Sequence, residues 1–329
     1  MAEILGMGNA LVDLMTKIDQ DEVLEQLQLP KGSMQLVDAE VSNQVAEKTA
    51  HFPKMRASGG SAANTIHGLS RLGASTAFVG TIGQDETGDF FCTDMETAGI
   101  QPLLFRSKTP TGVAIALVTP DGERTFATHL GAAIELSADH LNEDHFVGHQ
   151  YFYVEGYLVQ NEALLIKALD LAKSAGLTIA LDLASYNVVE AKKDFLLKIL
   201  REYIDIVFAN EEEAFAISGL EPQQALDFLS DMCTYAIVKI GAKGALIKHK
   251  NEIVQVPAIQ VNPIDTTGAG DMFAAGFLYA LLKDMSLENA GKAGTILAGN
   301  VIEIMGAKMD QNKWQQALSM IRALEKEKL

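Results

Sequence analysis

A short run late in the chain, Asp265-Thr266-Thr267-Gly268-Ala269-Gly270-Asp271, leads straight into an apolar helical pattern that begins Met272-Phe273-Ala274. Gly268 and Gly270 allow a sharp backbone turn. The unpaired amides and the dipole of the helix start then form an anion-binding arrangement. Asp271 falls in the same first turn, which sets its carboxylate beside whatever anion the amides hold. An anion hole with a base next to it is what phosphoryl transfer to an alcohol requires. Taken alone, the segment also fits a plainer reading, an acid that stabilises its own helix N-terminus.

Other segments offer polar groups in similar settings. Gly59 and Gly60 precede a helical pattern with Asn64 in its first turns. Small residues there let a polyhydroxylated ligand approach the backbone, and Asn64 both donates and accepts hydrogen bonds. Asp13 follows the first apolar run, in Gly8-Asn9-Ala10-Leu11-Val12-Asp13. It is either a carboxylate that accepts two vicinal hydroxyls or a solvated turn residue. Asn210, with Glu213 three residues on, is a capping-box variant. Arg124 stands just past Pro120-Asp121-Gly122, either as an exposed strand residue or as a guanidinium within reach of a ligand. His140, His145 and His149 share a polar stretch without a clean ligand spacing and read as surface histidines.

The elements that must position these residues alternate. Apolar runs predict strands over 3–8, 77–80, 151–154, 178–182, 205–209 and 236–240, and amphipathic patterns predict helices over 62–72, 161–175, 191–203 and 211–217. Strands spaced by helices argue for βαβ units and a largely parallel sheet. Two stretches, about 15–57 and 105–128, break the rhythm with strands, turns and few strong helices. The second reads as a hairpin, 112–119 and 123–128, around the Pro-Asp-Gly turn. Together they predict a small separate sheet over one edge of the main body. The last third is helical, over 268–282, 286–304 and 312–326, and dense in small residues.

Composition narrows the classes of function. The 329 residues are 48% apolar and 21% charged, which is globular chemistry with room for a large core. A net charge of −17, from 26 basic and 43 acidic residues, disfavours a nucleic-acid partner but not a nucleotide held by backbone amides. Cys92 and Cys233, the two cysteines, form no C-x-x-C pair and suit a reducing cytosol. The N-terminus, from Met1 and Ala2 onward, lacks a basic region followed by an apolar one, and no run reaches the roughly 18 apolar residues of a membrane span, so the expectation is a cytoplasmic protein without a membrane partner. The chain lacks a G-x-x-x-x-G-K-S/T loop, H-R-D and D-F-G. Gly6-Met7-Gly8 opens like a dinucleotide fingerprint, but Leu11 stands at its third glycine position, which counts against a dehydrogenase.

Four segments in order resemble the PfkB-type, ribokinase-like carbohydrate kinases. The C-terminal signature is Asp265 to Asp271. The N-terminal one is Ser58-Gly59-Gly60-Ser61-Ala62-Ala63-Asn64 with Leu72-Gly73 and the run 79–88. Asn210-Glu211-Glu212-Glu213 resembles the N-x-x-E segment, and Val238-Lys239-Ile240-Gly241-Ala242-Lys243-Gly244 the nucleotide-base segment. The resemblance implies a three-layer α/β/α domain over 1–329, with a mostly parallel central sheet and a small β-sheet lid. It implies ATP-dependent transfer to a hydroxymethyl group of a sugar or nucleoside, with Asp271 as base and Gly268, Ala269 and Gly270 as anion hole. It places Asp13, Gly59, Gly60, Asn64 and Arg124 on the acceptor. Asn210, Glu213, Lys239, Gly241 and Gly244 fall on the nucleotide, the last three mainly through backbone contacts. Mg2+ is implied through water on Glu213, and in some members a monovalent cation, K+, on the carbonyls of Asp265 and Thr267. The segments 8–13, 130–133 and 204–210 look closest to the adenosine-kinase branch. Glu155-Gly156-Tyr157-Leu158 departs from it, leaving only Tyr157 to stack on a base or to pack in the core. The family includes both monomers and homodimers. A noncatalytic sugar- or nucleotide-binding protein on the same fold is the competing reading.

Overall fold

The computed structural model describes residues 3–121 and 123–326. Met1, Ala2 and Gly122, the last residue of the expected Pro-Asp-Gly turn, lie outside the described residues. In chain order the strands are β1 (Ile4–Met7), β2 (Leu11–Lys17), β3 (Met34–Leu36), β4 (Lys54–Gly59), β5 (Thr76–Gly83), β6 (Ile100–Ser107) and β7 (Thr111–Val118). They continue as β8 (Arg124–Gly131), β9 (Tyr151–Glu155), β10 (Thr178–Asp182), β11 (Ile206–Asn210), β12 (Tyr235–Lys239), β13 (Ala245–His249) and β14 (Glu252–Val256).

Among the described residues, nine strands form one sheet in the order β14-β13-β12-β11-β10-β9-β1-β5-β6. It is parallel except at β13 and β14, an antiparallel hairpin added at one edge. Alternate residues of the buried strands feed two different cores, as a period of two requires. Ile4, Phe78, Tyr153, Ala180, Phe208 and Ile237 face the helices Ser61–Leu72, Ala269–Leu282, Leu287–Val301 and Gln311–Lys326. Leu5, Val79, Phe152, Leu181, Val207 and Val238 face the helices Glu162–Ser174, Lys193–Glu202, Glu211–Ser218 and Pro222–Ser230. The result is helix, sheet, helix. Small residues let the layers close up. A Cβ at Gly276 would overlap the Ala293 backbone, and one at Gly68 would come within 2.8 Å of Ala275 Cβ.

Among the described residues, five strands form the second sheet, β3-β8-β7-β2-β4. The chain passes from β1 of the large sheet into β2 through only Gly8, Asn9 and Ala10, and β4 returns directly to the helix Ser61–Leu72. Residues 100–107 pair with β5 in the large sheet, so the second sheet draws on the chain from Thr111 rather than from 105. The stretch read as strands and turns also holds the helix Ala39–Lys48, capped by Asp38, whose Oδ1 accepts from the Val41 amide at 2.9 Å. That helix packs through Val45 against Ile115, Leu117 and Ala127. Leu14 pairs with Ile115, and Asp13 with Ala57 and Ala114. Asp13 therefore points to the opposite face, toward the large sheet.

Candidate active site

The helix Ala269–Leu282 begins at Gly268, whose φ of 76° is left-handed and where a Cβ would stand 2.7 Å from that of Ala307. Glycine is required there by both backbone and space. No side chain caps this end, and of its first amides that of Ala269 already donates to the Thr266 carbonyl oxygen at 3.2 Å. Asp271 Oδ1 accepts from Ser61 Oγ at 2.7 Å, and Oδ2 from Asn64 Nδ2 at 3.0 Å. Burial pushes its pKa up to about 6 despite those two hydrogen bonds, with Asp182 adding to the rise. A carboxyl so poised sits close to neutral pH, where a general base works best.

The acceptor side is built on glycines. A Cβ at Gly59 would overlap the Asp13 carboxylate, so that carboxylate rests on the Gly59 backbone. Gly60 has φ of 99°, and a Cβ there would overlap the Asn9 carbonyl oxygen. Burial raises Asp13 to about 7; Lys308 opposes the rise and Asp271 adds to it. Asn64 is 5% exposed, and its Oδ1 has no hydrogen-bond partner among the described residues. A buried acceptor of that kind is costly unless something else satisfies it. Glu155, at the end of β9, braces this corner by accepting from Asn9 N at 2.9 Å, Asn9 Nδ2 at 2.6 Å and Ala62 N at 2.8 Å.

On the other side, the Asn210–Glu213 capping box forms in full. Asn210 Oδ1 accepts from Glu213 N, and the two Glu213 oxygens accept from Asn210 N and Nδ2, each at 2.8 Å. Glu213 is 2% exposed, and burial together with Asp182 raises its pKa. The Lys239 side chain does not stand aside from the cleft. Its ammonium pairs with Asp182 Oδ2 at 2.8 Å. A strand-end lysine beside a buried acid is drawn inward. Gly241 and Gly244 both have positive φ, 55° and 99°. A Cβ at Gly244 would overlap the backbone of β14, so packing alone requires glycine there, whereas the space beside Gly241 is open except for Glu211 Oε2 at 3.8 Å.

Arg124, at the start of β8, is anchored on the strap leading to the glycine turn. Its Nη1 ion-pairs with Asp265 and donates to Thr267 Oγ1 at 2.9 Å. Asp265 also accepts from the amides of Thr267 and Gly306, each at 2.6 Å, so its carboxylate ties the strap together. Tyr157 is neither fully core nor open. Its hydroxyl lies 3.5 Å from the Ala184 carbonyl oxygen, and burial first, then Glu155, Asp271, Glu213 and Asp182, push the phenol up to about 12. His140 and His145 pack on the Phe105 ring. Among the described residues no group of three or more His, Cys, Asp or Glu is placed to hold a metal ion, and no helix is long and apolar enough to cross a membrane.

The fold sets Asn64 against Asp271, Asp13 against Gly59, and the Lys239 ammonium against the Gly270 turn, with Asn210 and Glu213 at the end of the neighbouring strand. Sequence reasoning missed Glu155 and Asp182. An acid at the carboxyl end of a buried parallel strand is the signal that both carried.

A family model described as pfkB family carbohydrate kinase matches residues 33–314. Among solved structures, a probable sugar kinase from Rhizobium etli CFN 42 superimposes with a TM-score of 0.88 at 32% identity, covering 98% of this chain and 100% of that one. Adenosine kinase from Sinorhizobium meliloti superimposes with a TM-score of 0.86, also at 32% identity, covering 97% and 99%. A ribokinase of Staphylococcus aureus (strain COL) is 30% identical over 261 residues, 76% of this chain and 83% of its own. Agreement over nearly the whole length makes this the ribokinase-like α/β fold, with its large mostly parallel sheet and second smaller sheet. By sequence match and by fold, the chain belongs to the pfkB family of carbohydrate kinases.

Proposed function

We propose that this kinase moves the γ-phosphoryl group of ATP onto the hydroxymethyl oxygen of a furanose-like sugar or nucleoside in the cytosol, with Asp271 as the base. Family membership makes the chain an ATP-dependent sugar or nucleoside kinase. The observation that supports the finer reading is the Asp271 carboxylate, held by Ser61 and Asn64 one turn into the helix that Gly268 opens. Asp271 takes the proton of the acceptor hydroxyl as that oxygen bonds to the γ-phosphorus. The bond from phosphorus to the β,γ-bridging oxygen breaks, and its electron pair leaves on ADP. The amides of Gly268 and Gly270, and that of Ala269 once it turns from the Thr266 carbonyl, offset charge on the moving phosphoryl oxygens. Asp13 and the unpaired Asn64 Oδ1 receive hydroxyls of the acceptor over Gly59 and Gly60.

The second sheet, built from 11–59 and 111–131 of a single kinase domain, serves as the lid, and Arg124 ties it to the strap at Asp265. Asn210, Glu213, Lys239 and Gly241 line the nucleotide. The donor set fits Mg2+ held through water rather than in a protein cage. Asp182, Glu213 and Asp271 gather negative charge where polyphosphate must enter, and Asn210 already engages both Glu213 oxygens. Bound with the phosphates, Mg2+ neutralises and orients them. Glu213 and Asn210 would hold its water shell. The carbonyls of Asp265 and Thr267 are the proposed seat of a monovalent cation, K+.

A panel of sugars and nucleosides, with ADP release as the signal, tests the reading. Asp271→Asn should bind ATP nearly as well as the wild type and turn over on the order of 10²-fold more slowly or worse. Undiminished turnover in that variant would remove Asp271 from its role.

A further inference from the structure

Lys239 ends β12, and its ammonium reaches past the end of β11 to β10. Asn210 of β11 is its register partner, yet Nζ bonds to Asp182 of β10 at 2.8 Å, with the two side chains only 15% and 7% exposed. A Cβ placed on Gly270 would lie 3.1 Å from Nζ, so the ammonium packs against the turn that opens the helix Ala269–Leu282. An ammonium carries three donors, of which Asp182 Oδ2 takes one. A buried ion pair adds little stability over apolar residues of the same volume, because desolvating both charges offsets their attraction. Folding alone gives a weak reason for this pair.

The surroundings supply a stronger one. Burial works against the charge of Lys239, yet Asp182 and Glu213 prevail and raise its pKa, so it stays cationic at neutral pH. It is also the cation that opposes the rise of Asp271 and of Glu213. A single ammonium thus faces three carboxylates beside the glycine turn, on a four-carbon stem that can pivot.

We propose that the Lys239 ammonium binds the γ-phosphoryl group of ATP across the Gly270 turn and follows it to the acceptor oxygen, and that Asp182 parks the ammonium there before nucleotide arrives. This rests on the kinase reading given above and adds a side chain to its phosphate contacts. Lys239 gives up no proton in the transfer. Its charge stays with the phosphoryl oxygens while the bond to ADP breaks and the bond to the acceptor forms, and the acceptor proton goes to Asp271.

Removing the ammonium alone would strand Asp182 in the interior, so the test removes both charges together. Lys239→Met with Asp182→Asn is one variant. Lys239→Gln with Asp182→Asn, which keeps a neutral hydrogen-bonded pair, is the second and guards against a folding failure of the first. Calorimetry with Mg·AMP-PNP and Mg·ADP gives the readout. The analogue that carries a γ-phosphoryl should weaken by about tenfold, while ADP stays within about twofold. Turnover should fall on the order of 10²-fold. Equal weakening of the two nucleotides, unchanged AMP-PNP affinity, or wild-type turnover in the neutral pair overturns the proposal. A wild-type chain that phosphorylates no acceptor would sink the kinase reading instead, and the affinity ratio would still judge Lys239.

Discussion

Asp271 and Asp13 are both carboxyls that burial has pushed up, to about 6 and about 7, and both must be ionised for the chemistry proposed here. The one has to take a proton, the other to accept hydrogen bonds from hydroxyls. Activity should therefore climb as each loses its proton. On a logarithmic plot, kcat/KM should rise with a slope near two below about pH 6, near one between about 6 and 7, and level off above. Asp13→Asn should erase the upper bend and Asp271→Asn the lower. A profile flat from about pH 5 to 8 would rule out both assignments. The residues on this side were legible because they lie in contiguous segments. Glu155 was not, since its partners Asn9 and Ala62 are 146 and 93 residues away and only folding makes it a brace. The turn of Lys239 toward Asp182, 57 residues upstream, was hidden for the same reason.

Between elements, Glu155 joins three pieces: the end of β9, the link after β1 and the first turn of the helix Ser61–Leu72. Replacing it with alanine leaves the Asn9 and Ala62 amides buried and unpaired. At about 1–3 kcal/mol for each lost partner, Glu155→Ala should cost the fold several kcal/mol. A lower urea midpoint at unchanged m-value would record that loss. Stability equal to the wild type would show that water satisfies those amides and that the brace is idle. Long amphipathic helices and fully apolar strands were readable as elements. The hairpin of β13 and β14 was not, because Lys248, His249 and Glu252 interrupt its apolar runs. The helix Glu86–Thr97 was obscured by Gly88 and Thr87 in its first turn. It forms around Asp85, whose Oδ1 accepts from the Gly88 amide at 2.8 Å.

For the molecule as a whole, proton linkage sets how stability depends on pH. Asp13, Glu155 and Asp271 keep their protons up to about 7, 7 and 6 in the folded chain, and Glu213 is raised as well. The unfolded chain releases the same protons near pH 4. The folded form thus holds more protons across that window, and its stability should fall as pH rises from about 4 to 7. His67, which burial keeps neutral down to about 3, works in the opposite sense, as do the lowered carboxyls Asp85 and Asp94 at the acid end of the window. The melting temperature of the ligand-free protein should be higher near pH 5 than near pH 7.5. A higher value at the alkaline end would mean that those carboxyls are hydrated and ordinary.

Only Gly8, Asn9 and Ala10 separate β1 from β2. Four residue steps, each spanning at most roughly 3.6 Å when fully extended, let Leu11 stray no more than about 14 Å from Met7. A leash that short has almost no slack, and Asp13 rides two residues beyond it. On the acceptor site proposed above, the bulk of a guest is then capped by covalent reach as much as by the shape of the walls. Lengthening the leash would be the direct way to admit larger guests.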